Sequence, residues 1–193
     1  MRLPIQLTRR TATWLLGTAV VATAALMTFH IHTPRPLPAG VARAAGRVAG
    51  DDWTGRVAPG FELRALDGRR IRLSDFRDRV VLVNFWATWC APCRVEMPWL
   101  REFDARYGSQ GLTILGVSVD DGGRERVERF VRQMRVEYPI LLSDGNVDLR
   151  YGGVRFLPQT FFVGRDGRIT RRVYGIRTHE DFEAEIRSAL ELP

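Results

Sequence analysis

Lysine is absent from this 193-residue chain, and all 29 of its Lys-or-Arg residues are arginine. We read that as a compositional bias of the source genome, not as an arginine patch built for a polyanion. The formal charge is +7, but seven arginines and only Asp51 and Asp52 among the acids fall in residues 1–56, a net +5 that leaves +2 for the rest. So even a balance implies no basic face, and with it no nucleic-acid partner. Histidine is scarce, limited to His30, His32 and His179, and cysteine is scarcer, limited to Cys90 and Cys93. A disulfide framework spreads an even, larger number of cysteines through a small chain, and a zinc site usually needs four ligands. Neither set exists. Two cysteines placed at random in such a chain fall three positions apart about once in a hundred cases. The pair therefore has a chemical cause, either a redox dithiol or a two-sulfur site for a soft metal.

Long apolar runs are also few. One, TATWLLGTAVVATAALMTFHI at 11–31, follows Arg2, Arg9 and Arg10 and holds no acidic or strongly basic residue. It is long enough to cross a bilayer as a helix, and the arginines before it put the N-terminus inside and the remainder outside. We expect a single-pass anchor in a bacterial cell membrane, because the run exceeds the usual apolar core of a signal peptide. Small-x-small sites at 22–24 and 42–44 keep cleavage and secretion as the alternative. Pro34, Pro36 and Pro38 open a tether, residues 32–56, rich in Pro, Ala, Gly and Arg. One domain, 57–193, follows, of a size that supports a single core.

That domain alternates strand and helix. FELRAL and RIRLSDF flank Asp67-Gly68, a hairpin signal, and RVVLVNFWA (79–87) reads as a buried central strand. Arg94 to Tyr107 is predicted helical, LTILGVSVD (112–120) is a second buried strand, and RERVERFVRQMR (124–135) has helical periodicity. YPILL is a short strand; PQTFFVG and RITRRVYG bracket a second Asp-Gly turn; a C-terminal helix follows Thr178 as its cap. The order predicts an α/β fold, a mixed sheet with helices on both faces.

Cys90 falls where the central strand gives way to a helix, so unpaired backbone N–H groups and the helix dipole favour its thiolate. It is the candidate nucleophile, and Cys93, one turn inside, the resolving thiol. Cys93, Glu96, Leu100, Phe103 and Tyr107 recur at spacings of 3, 4, 3 and 4, which puts them along one row of the helix with Val95 and Trp99 widening the apolar stripe. Glu96 is thus predicted to face the core beneath Cys93, where desolvation raises a carboxyl pKa and suits it to accept a proton.

FWATWCAPC, with Pro98 five residues after the second cysteine, resembles the active-site strand and kinked helix of the thioredoxin superfamily. The resemblance implies a cis proline facing the dithiol, and FLPQTFFV matches its context, which picks out Pro158. Asn84 stands where thioredoxin has a buried aspartate, and an extra helix and strand, about 121–145, precede YGGVRFLPQT. With the apolar N-terminal run and Glu96, these features are similar to the extracytoplasmic reductases of the TlpA, ResA and DsbE group, whose members carry a glutamate three residues after the second cysteine. The resemblance spans 57–193. It implies a thioredoxin-like sheet with an N-terminal hairpin and a central helix-strand insertion. It further implies reduction of client disulfides such as the C-x-x-C-H pair of apocytochrome c or those of copper-delivery proteins, with electrons from a membrane thiol donor and no cofactor. On that basis Cys90 attacks, the Leu157-Pro158 loop holds the mixed disulfide with Trp86 and Trp89 as apolar flanks, and Cys93, deprotonated by Glu96, resolves it. Three other functions share the thiols: a peroxidase with Arg94 activating the cysteine, a non-enzymatic copper-binding assembly factor using Cys90, Cys93 and His179, and an oxidase or isomerase that differs only in redox poise.

Overall fold

Seven consecutive residues without an exposed side chain, VVLVNFW, form the strand on which the architecture is built. In the computed structural model, which describes residues 53–191, this strand lies third in chain order. The elements run β1 (Glu62–Ala65), β2 (Arg70–Arg72), β3 (Val80–Trp86), α1 (Ala91–Tyr107), β4 (Leu112–Ser118), α2 (Arg124–Met134), β5 (Ile140–Leu142), α3 (Asn146–Arg150), β6 (Gln159–Val163), β7 (Ile169–Tyr174) and α4 (His179–Glu191). They build one sheet in the order β2-β1-β5-β4-β3-β6-β7. Strands β3, β4 and β5 are parallel neighbours, and β1, β6 and β7 join antiparallel. Both β3 and β4 are buried along their whole length, as strands covered on both faces must be.

Alternation along β3 divides the core in two. Val80, Leu82 and Trp86 point to the side covered by α1, α2 and α4, with Met97, Leu100, Phe103, Phe130, Phe182 and Ile186. Val81, Val83 and Phe85 point to the other, with Phe61, Leu115, Val147, Tyr151 and Phe161. The first side is the thicker layer; the second is closed by the short α3 and by the N-terminal segment. The inserted helix and strand are α2 and β5, and β5 seats between β4 and the N-terminal hairpin.

Both Asp-Gly turns form as predicted, with Gly68 and Gly167 at φ of 88° and 76°, and in each the aspartate accepts the N–H two residues on. The predicted strand RIRLSDF is cut short. Only Arg70–Arg72 pairs, and Leu73–Phe76 turns into a 3-10 helix because the Asp75 carboxylate accepts the Arg72 N–H at 2.9 Å. Helix α3 was not anticipated: it is five residues long, too short for periodicity, and starts where Asp144 Oδ1 accepts the N–H groups of Asn146 and Val147.

The described end of the expected tether is docked on the domain. The Trp53 ring stacks on Tyr151 with centroids 6.2 Å apart and meets Phe161 edge-on at 5.3 Å. Residues 55–58 run along β7, bonding Gly55 N–H to the Ile169 carbonyl and Ala58 N–H to that of Gly167. The expected anchor at 11–31 lies outside the described residues; among those described, no helix is long and apolar enough to cross a membrane.

Gly116, paired with Asn84 across β3 and β4, is held to glycine by contact. A Cβ there would meet Ile140 Cδ1 at 2.7 Å, Tyr138 Cε2 at 3.1 Å and Trp86 Nε1 at 3.2 Å. Overpacking of this kind costs about 1–3 kcal/mol, so Gly116→Ala is expected to lower the Tm of the full chain by several degrees in a thermal unfolding scan. An unchanged Tm would show that this layer yields freely.

Candidate active site

Where β3 ends the chain turns through residues 87–89 and enters α1, and the Cys90 N–H closes the turn on the Ala87 carbonyl at 3.1 Å. Cys90 caps the helix: its Sγ accepts the Cys93 N–H at 3.2 Å, with Ala91 and Pro92 forming the first turn. Pro92 contributes no N–H of its own, which suits a position whose amide would have no helical partner. The two sulfurs are bonded to each other, and their Cα atoms are 5.3 Å apart. In this disulfide form both residues are buried, Cys90 at 4% exposure and Cys93 at 1%.

Pro158 follows a cis peptide bond from Leu157 and is buried. Its place follows from register. Gln159 pairs with Phe85 in the antiparallel β3-β6 ladder, so the residue before it sits opposite the end of β3, at the edge from which the cysteine turn springs. Leu157 is half-buried against the core cluster that contains both cysteines. Phe156, which sequence reasoning passed over, is 69% exposed beside it, and Trp89 is 65% exposed. These two rings are the large apolar side chains that the two loops at the disulfide show to solvent.

Trp86 does not join them. It is fully buried and stacked on Phe130 of α2 at 5.4 Å, because its position on β3 turns it beneath α1. A client cannot reach its side chain, so the expectation of Trp86 as an apolar flank is corrected, whereas Trp89 is exposed. Val95 likewise does not widen the buried stripe of α1; it is 51% exposed, whereas Trp99 is half-buried.

Beneath the disulfide lies a carboxyl group. The row of α1 predicted to face inward does so: Cys93, Glu96, Leu100, Phe103 and Tyr107 are all buried, and Glu96 is 2% exposed. Asn84 of β3 donates its Nδ2 to Glu96 Oε2 at 3.0 Å and to Thr160 Oγ1 of β6 at 2.9 Å. Burial dominates that one bond and pushes the Glu96 carboxyl from 4.5 up to about 8. Glu96 Oε1 has no protein partner and no solvent contact. The Tyr138 phenol is buried nearby, also unpartnered; desolvation first, then the carboxylates of Glu96 and Asp104, raise its pKa. Asn84 thus belongs to the site, as the group that holds Glu96.

Arg94 and His179, the residues of the competing functions, are each engaged by other groups. The Arg94 guanidinium donates to the Thr88 carbonyl at 3.0 and 3.3 Å and lies over the Phe130 ring at 5.2 Å. His179 packs on Phe103 at 4.8 Å and faces Glu102 at 3.3 Å. Phe103 is ten residues along α1 from Cys93, about 15 Å of helix, too far for one metal ion to span. Among the described residues no three His, Cys, Asp or Glu side chains gather as a metal site.

Known proteins are similar to this chain. Residues 54–172 match the model of the AhpC/TSA family. A thiol-disulfide oxidoreductase ResA of Geobacillus thermodenitrificans is 37% identical over 134 residues, 69% of this chain and 76% of its own length. The ResA of Bacillus subtilis is 35% identical over 124 residues, 64% and 69% of the two chains. A crystal structure assigned as thiol:disulfide interchange protein DsbE of Chlorobium tepidum superposes with a TM-score of 0.67 at 31% identity, covering 71% of this chain and 97% of that one. The chain belongs to the AhpC/TSA family and, within the thioredoxin superfamily, to the TlpA/ResA/DsbE-like thiol-disulfide oxidoreductases.

Proposed function

We propose that the protein reduces disulfides of client proteins outside the cytoplasm, held to a bacterial cell membrane by residues 1–31 and set off from it by residues 32–56. In the reduced protein the Cys90 thiolate attacks one sulfur of a client disulfide; a mixed disulfide forms and the other client sulfur leaves as a thiolate. Cys93 passes its proton to Glu96 and attacks Cys90 Sγ, which closes the Cys90–Cys93 bond and releases the second client sulfur. Two electrons have passed to the client, and a membrane thiol donor returns two to the pair. Trp89, Phe156 and Leu157 supply the apolar surface around the mixed disulfide, and Pro158 the backbone edge beside it.

One observation carries this reading: a carboxyl group buried one helical turn below Cys93, with a free oxygen and a pKa of about 8. A proton acceptor works best with a pKa near the working pH. Its charge, once formed, also opposes a neighbouring thiolate, which favours the disulfide and makes the dithiol a ready donor. The relatives' name, thiol-disulfide oxidoreductase, covers either direction; the environment of Cys93 favours reduction. The C-x-x-C-H segment of apocytochrome c is the first client to test, and cysteines of copper-delivery proteins the second.

With Cys93→Ser in the full chain, resolution is blocked and mixed disulfides with clients are expected to accumulate through Cys90, visible as adducts on non-reducing gels and lost on adding dithiothreitol. Their absence, in a protein whose Cys90 also resists alkylation, would end the proposal. Glu96→Gln is expected to slow resolution about a hundredfold and to remove its pH dependence between about 6 and 9, followed by stopped-flow release of a chromogenic mixed disulfide. The same variant reports on stability. Because the folded-state pKa lies above 4.5, the oxidised wild type loses stability as pH rises toward about 8, with a limiting slope of about 1.4 kcal/mol per pH unit. Glu96→Gln should flatten that decline in urea titrations at successive pH values.

A further inference from the structure

Thr88, two residues before Cys90, is gripped from both sides. At the end of β4 the Asp120 carboxylate accepts the Thr88 N–H with both oxygens, at 2.9 and 3.2 Å, and the Thr88 hydroxyl at 2.6 Å. The Ser118 hydroxyl donates to the same carboxylate at 2.9 Å. From the other side Arg94 of α1 donates to the Thr88 carbonyl. Thr88 is 6% exposed and Asp120 half-buried, so these bonds lie largely out of water. The parallel pairing of β3 and β4 makes the grip possible, because Trp86 stands opposite Ser118 and the segments leaving the two strands emerge side by side.

No step of thiol exchange uses Asp120. The charged groups on the elements around Cys90 are Asp120 and Asp121 after β4, Arg94 and Glu96 on α1, and Arg155 ahead of Pro158. The first turn of α1 favours a Cys90 thiolate, and a carboxylate fixed on the preceding turn opposes it. We propose that Asp120 is a positioning residue of the redox site: it pins the 87–89 turn to β4 and fixes a negative charge beside Cys90 that keeps the dithiol strongly reducing. The charge makes the thiolate costlier, the thiolate belongs to the reduced protein, and whatever disfavours the reduced protein lowers the reduction potential.

The proposal rests on the thiol-disulfide reading of Cys90 and Cys93 but is tested without any client. The full chain is equilibrated in dithiothreitol redox buffers. Dithiothreitol loses two electrons and two protons and closes to its cyclic disulfide, while the Cys90–Cys93 bond becomes two thiols. For Asp120→Asn, which keeps shape and one acceptor oxygen, the constant toward the dithiol is expected to rise about three- to tenfold, tenfold being about 30 mV. The pKa of Cys90, followed as alkylation rate against pH, is expected to fall. Thr88→Val removes one hydrogen bond and leaves the charge; its Tm should drop while its potential stays that of the wild type. An Asp120→Asn protein with lowered Tm but unmoved potential and Cys90 pKa would overturn the proposal, as would a raised potential in Thr88→Val. Loss of the client assignment would appear instead as empty traps with Cys93→Ser, so the two failures are separable.

Discussion

A carboxyl group is kept out of water beneath a disulfide, and much of the surrounding structure follows from what that requires. Glu96 is buried on the face of α1 that packs on β3, where its charge is disfavoured and its pKa stands near 8. An apolar core would leave both oxygens without partners, a penalty of a few kcal/mol for such a group. Asn84 offsets part of it with one hydrogen bond and reaches Thr160 with the same nitrogen. The remaining oxygen is left free, as the proton transfer proposed for Glu96 would require.

Sheet topology decides what else can gather there. Parallel pairing of β3 with β4 sends both C-terminal ends to one edge, the usual place for sites in open α/β sheets. The antiparallel β6 starts at the same edge with Pro158. Three segments far apart in sequence, the turns at 87–89, 119–121 and 156–158, therefore meet around one S–S bond. The α1 side of the sheet supplies the buried acid, and the loops supply an acidic brace and two exposed rings.

The chemistry of the pair and the strand-helix alternation were legible in the sequence because both are local. Cys90-x-x-Cys93 at a strand-to-helix junction, and the 3-4-3-4 row through Glu96, depend only on helix geometry. The short α3 and the 3-10 turn at Leu73–Phe76 were not legible, since single side-chain hydrogen bonds from Asp144 and Asp75 create them and no periodicity announces them. Trp86 was misplaced for a related reason. Expected as an apolar flank of the mixed disulfide, its ring is instead turned inward beneath α1 by strand alternation.

Residue order alone was enough to settle the identity of the reactive thiols and the inward direction of Glu96, because a covalent spacing and a helical period each act over a single turn. Only the folded arrangement decided that Asn84 holds Glu96, that Asp120 and Arg94 grip Thr88 from opposite sides, and that Trp86 is buried while Phe156, two residues before the cis proline, is exposed. Each of those pairings joins segments whose meeting depends on strand register, and register is a property of the packed sheet as a whole.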